Sequence, residues 1–168
     1  DEKPEDVAIQ LINNIFATLQ ISVHLNEQTP EQKKVLAHYL NFSTKYREVL
    51  QCGDFRAHAP LALYPLLESC KDQIWISASY KENQIIPCPD PASYREIIFL
   101  NGTKTPELTL RLSAPGVFLI RKLDCFGEIV QEETKALTDS IHTFQVSQGG
   151  ALFLYPSEAS KSDVAIYS

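Results

Sequence analysis

The apolar positions of this chain change period partway along. Over residues 4–19 they recur at steps of three and four, at Val7, Leu11, Ile12, Ile15, Phe16 and Leu19. That spacing draws one stripe down a helix. Pro4 suits a first helical turn, and Glu5 and Asp6 suit the positive end of its dipole. Ile21, Val23 and Leu25 then alternate with Ser22 and His24, the period of a short strand. Thr29-Pro30-Glu31-Gln32 predicts a new helix start, with Thr29 as N-cap, Pro30 at the first helical position and Gln32 closing a capping box. Val35, Leu36, Tyr39, Leu40, Phe42, Tyr46, Val49 and Leu50 supply its apolar side, and Gly53 suits the stop. The order predicted for residues 1–53 is helix, strand, helix.

From about residue 55 the period falls to two. Residues 74–80 and 94–100 are rich in strand formers, and Asn101-Gly102 is a tight-turn signal. Leu108, Leu110 and Leu112 alternate with polar neighbours and so share a face. Pro115-Gly116 leads into a strand over 117–123. Ile129-Val130, residues 141–146 and residues 151–155 continue the pattern, with Gly149-Gly150 as a turn. Residues 164–167 read as a closing edge strand. Pro87-Cys88-Pro89-Asp90-Pro91 reads as an extended surface connection. About seven or eight short strands at such spacing predict an antiparallel sandwich. The fold class is therefore mainly β with N-terminal helices, divided into a helical segment over 1–53 and a β-sandwich domain over 54–168.

Composition narrows the function. Apolar residues make up 44% and charged residues 21% of the 168 positions, the balance of a globular protein with one substantial core. Fifteen basic against 21 acidic residues leave a net charge of −6, which disfavours nucleic acid as a partner. No apolar run approaches the roughly 20 residues that span a bilayer, so no membrane partner is expected. The acidic start has no apolar leader region, which favours the cytoplasm. The chain contains no Met, which suggests processing or excision from something longer. Cys52, Cys70, Cys88 and Cys125 form neither a C-x-x-C pair nor a zinc-finger spacing with His, so no metal or other cofactor is implied. Buried or half-buried free thiols in a reducing compartment are expected instead. His38, His58 and His142 stand alone and read as surface or packing residues. Glu128, Glu132 and Glu133, near Lys122 and Lys135, read as a solvated turn. Trp75 faces away from both Ile74 and Ile76, so its ring lies on a second buried face or forms an exposed platform for a sugar.

Residues 42–55, Phe42-Ser43-Thr44-Lys45-Tyr46-Arg47-Glu48-Val49-Leu50-Gln51-Cys52-Gly53-Asp54-Phe55, resemble a motif of the melibiase-like glycoside hydrolases, the retaining α-galactosidase family and its clan. The resemblance implies that Tyr46-Arg47 ends the last helix of a catalytic (β/α)8 barrel. Gly53-Asp54-Phe55 would then lead into a C-terminal all-β domain. Residues 19–25 would be the eighth barrel strand and 30–50 the eighth helix, so that 1–53 is a helix-strand-helix remnant of the barrel. The family's catalytic Asp residues lie on earlier strands, which implies no catalytic residue here. Retaining hydrolysis needs two carboxyls roughly 5 Å apart across the scissile bond.

The function so implied is a noncatalytic C-terminal accessory domain that stabilises the barrel of an enzyme acting on α-glycosides. Its partner is the remainder of that barrel. Ser22 and His24, near the end of the last strand, sit where such barrels contact substrate, or else make a rim hydrogen bond. Arg47 and Asp54 are expected to pair across the helix end, the alternative being sugar binding, with Tyr46 and Phe55 packing at the hinge. A barrel remnant would leave Ile9, Ile12, Phe16 and Val35 bare, which predicts a homodimer through the apolar helix faces. The alternative is a free-standing β-sandwich module that binds carbohydrate or another protein.

Overall fold

The structure, a computed structural model, describes residues 2–19, 25–58 and 65–158. Among the described residues three α-helices come first: α1 (Pro4–Asn13), α2 (Pro30–Lys45) and α3 (Arg47–Cys52). The strands are β1 (Asp54–His58), β2 (Leu66–Lys71), β3 (Ile74–Ser79), β4 (Ile85–Pro87), β5 (Glu96–Asn101), β6 (Glu107–Arg111), β7 (Gly116–Leu123), β8 (Ile129–Leu137), β9 (Ile141–Gln145) and β10 (Ala151–Pro156). The class is mainly β with N-terminal helices.

α2 starts as its sequence dictates. The Gln32 amide donates to Thr29 Oγ1 at 3.2 Å, and the Thr29 amide donates to Gln32 Oε1 at 3.0 Å. This reciprocal box satisfies two amides that no helical carbonyl reaches. The apolar run that predicts one helix over 30–50 is broken at Tyr46, whose ψ of 21° ends α2 and admits the short α3. The strand expected around 19–25 falls mostly on residues 20–24, outside the described residues, and Leu25 opens a 3-10 turn instead. The closing strand at 164–167 also lies outside the described residues.

Among the described residues seven strands form one sheet in the order β1-β2-β3-β5-β10-β7-β8, and β4-β6-β9 form a second. The expectation of a purely antiparallel sandwich is corrected here: β3 runs parallel to β5, and β4 to β6. The cause lies in the connections. After Asn101 the chain crosses from the large sheet to the small one rather than folding back, so Asn101-Gly102 is not a hairpin turn. The side chain of Asn101 is fully buried there. Its amide donates to Thr105 O at 2.9 Å and Val146 O at 3.0 Å, and its oxygen accepts from the Thr103 amide and hydroxyl. Glu132 and Glu133 lie within β8, not in a turn. The Pro-rich connection is not wholly at the surface, because Cys88 and Pro91 turn inward.

The alternation of side chains along the central strands divides the core into two layers. Ile74, Ile76 and Ala78 of β3, Ile98 and Leu100 of β5, and Phe153 of β10 pack against the helices. The intervening Trp75, Ile97, Phe99, Leu152 and Leu154 pack against Leu108, Leu110 and Phe144 of the small sheet. The large sheet is thus sandwiched between helices and a second sheet. Ile12 and Val35, expected to be bare, are fully buried, and Ile9 and Phe16 are partly buried. The helical segment 1–53 spends its apolar stripes on the sheet of segment 54–168, within one hydrophobic cluster.

Candidate functional site

The residues of the family-like motif build a tight joint between helix and sheet. Tyr46 is buried, and its hydroxyl donates to Glu96 Oε2 at 2.9 Å, tying the α2–α3 break to the start of β5. Burial, seconded by Glu96, holds that hydroxyl well above the usual phenol range, so it acts as a donor. Gly53 ends α3 with an extended backbone. Space, not conformation, requires glycine there. An added methyl would fall well inside contact distance of Val49 O and Ser69 Oγ and 3.0 Å from Cys70 O. Ser69 Oγ itself donates to Val49 O at 2.6 Å in a buried site. Asp54 does not pair with Arg47. Its partner is Arg56, at 3.1 Å, two positions along the same face of β1, while Arg47 is exposed on α3. Phe55 is half exposed and meets Phe16 edge-on, with 5.6 Å between ring centroids.

The substrate-binding expectations divide. Ser22 and His24 lie outside the described residues. Of the two places expected for Trp75, the ring takes the buried one: it is 7% exposed, packed edge-on against Tyr94 between the two sheets, and the sugar platform is the alternative that falls. A sugar platform needs a free ring face, and this ring has none to offer. Cys88 and Cys125 are buried thiols and Cys70 half-buried, but Cys52 is exposed on α3.

A groove of about 270 Å³ opens where the helical layer stops short of β7 and β8. Its floor is Phe42, Tyr46, Leu123 and Phe153, and polar groups of His38, Asn41, Lys45 and Arg121 stand around it. One end is closed by the β7–β8 turn. Gly127 there has φ +80°, and any side chain would collide with the His38 ring. Burial holds the His38 imidazole below its ordinary range against the opposing pull of Asp124, which favours its neutral form. Arg121 is fixed by Glu132 at 2.7 Å and lies 5.3 Å from the centre of the Tyr155 ring. None of the described lining residues is acidic. The groove therefore suits a ligand that accepts hydrogen bonds, and its described lining holds no carboxyl pair of the kind a glycosidase uses. Sequence reading passed over it, because its walls come from three distant stretches of chain. Only Gly127, followed by a strand, carried a local signal.

Among the described residues no group of three His, Cys, Asp or Glu side chains is placed to hold a metal ion. No described helix is long and apolar enough to cross a membrane. No protein-family model matches the chain, and no curated protein matches its sequence.

Proposed function

We propose that the chain is a noncatalytic C-terminal accessory unit of an α-galactosidase-like glycoside hydrolase, and that it stabilises the catalytic barrel. The observation that carries this reading is the joint at Gly53. The motif that resembles the hydrolase family's barrel-to-sandwich junction is built as a helix-to-strand joint too close for any side chain. Its role is mechanical, to fix the helical layer to the sheet. In the same reading the half-exposed Phe55 beside Phe16 is a contact for the rest of the enzyme. The test is turnover of nitrophenyl α-glycosides by this chain alone and by a parent chain carrying the barrel. Activity is expected only from the parent, and turnover by the 168-residue chain refutes the reading.

The groove beside α2 favours a second reading, a free-standing carbohydrate-binding module. Glycan-array binding by this chain that is lost in Arg121→Ala supports that reading over the first.

A further inference from the structure

The face of the large sheet that looks onto the small sheet is apolar over β5, β10 and β7, apart from Asn101 and Lys122 near strand ends, but it carries a polar island over β2 and β3. Glu68 and Ser77 are direct cross-strand partners. Trp75 lies two residues from Ser77 and therefore on the same face. All three are more than nine-tenths buried, with exposures of 3%, 1% and 7%. Glu68 Oε1 meets His58 Nε2 at 2.7 Å. Glu68 Oε2, Ser77 Oγ and Trp75 Nε1 have no hydrogen-bond partner among the described residues.

An unmet buried polar atom is destabilising, and native interiors hold few of them. Three on one small patch point to a shared guest. Their chemistry specifies it. A carboxyl oxygen accepts, an indole N–H only donates, and a serine hydroxyl does both. An anion cannot donate to Glu68, and an ammonium cannot accept from Trp75. A hydroxyl satisfies both. Opposed side chains on neighbouring strands start about 5 Å apart at Cβ, within reach of one bridging oxygen.

We propose that the Glu68–Ser77–Trp75 island is a binding site for a hydroxyl group, a chemistry shared by a buried water molecule and by a polyol or sugar. His58, which meets Glu68 from the edge strand β1, has a side chain 41% exposed. The site is separate from the groove beside α2 and does not depend on the accessory role.

High-resolution crystal structures of the chain, untreated and soaked in glycerol or galactose, test this together with Ser77→Ala. The expected map has a peak about 2.7–3.2 Å from both Glu68 Oε2 and Ser77 Oγ. A single isolated peak in every crystal assigns the guest to water. Connected polyol density at the site, with a rise in Tm on adding the same compound, assigns it to a carbohydrate-like ligand. Ser77→Ala is expected to lose the peak and lower Tm by about 2–4 °C. A map with Ser77 Oγ directly on Glu68 Oε2 and nothing between them overturns the proposal. So does a Ser77→Ala protein as stable as the parent, because removing a hydroxyl that has no partner does not destabilise.

Discussion

Replacing Gly53 with Ala should be among the most damaging single-methyl changes in the chain. The backbone conformation at Gly53 suits any residue, so the whole effect is steric. The new Cβ meets two backbone carbonyls, Val49 O and Cys70 O, and the hydroxyl of Ser69. Carbonyls on a helix end and a strand move only if the joint opens. Forcing extra volume into a packed site costs about 1–3 kcal/mol. Displacing Ser69 Oγ from Val49 O adds about 1 kcal/mol for a buried hydrogen bond. The total is about 2–4 kcal/mol, and a chain of this size loses about 2–4 °C of Tm for each. Thermal unfolding followed by circular dichroism should show a Tm lower by about 5–15 °C. Adding Ser69→Ala to Gly53→Ala should restore less than half of the loss, because both carbonyl clashes remain. A Gly53→Ala protein within about 0.5 kcal/mol of the parent, the range of an ordinary surface change, would refute the steric account and with it the rigid joint.

Asn101→Ala removes the amide that meets Thr105 O and Val146 O inside the core, and urea unfolding should report a loss of about 2–4 kcal/mol. Gly127→Ala places a methyl against His38 at a positive φ, so backbone amides around residues 124–128 should exchange hydrogen at least several-fold faster than in the parent. Burial pushes the Cys88 thiol up to about 12 and the Cys125 thiol up to about 11, from an ordinary value of 9.0. Above pH 9 the unfolded chain releases protons that the native chain retains, so stability should fall progressively as pH rises from about 9 towards 12. Alkylation of the native protein at pH 8 should label the exposed Cys52 first, with Cys88 and Cys125 reacting only on unfolding.

Local signals in the sequence survive into the fold where the physics is local. Thr29 and Gln32 cap α2 because both halves of the box lie within four residues. Leu108, Leu110 and Leu112 share a buried face because alternation along one strand needs no partner. The direction of a partner strand is not local: nothing in residues 74–79 says that β5 runs parallel beside them. β8 is legible only at its start, Ile129-Val130, for a related reason. It is an edge strand with Ile129 to Ala136 exposed on both faces, so no alternation marks it. Its Glu132, Glu133 and Lys135 suit an edge that must not pair with another chain. The candidate site was the least legible feature. The groove joins α2, the β7–β8 turn and β10, and the polar island depends on the register that sets Glu68 opposite Ser77.

The strand order has a consequence for synthesis. β10 lies between β5 and β7 and is hydrogen-bonded to both. A nascent chain released from the ribosome only as far as Gly150 holds two disconnected ribbons, β1-β2-β3-β5 and β7-β8, each with a bare inner edge. Phe153, which helps seat the helices, is also missing at that stage. The two ribbons can therefore join only once residues 151–156 have left the exit tunnel. Until then those inner edges are open to neighbouring chains, and chaperone binding should be strongest in that interval.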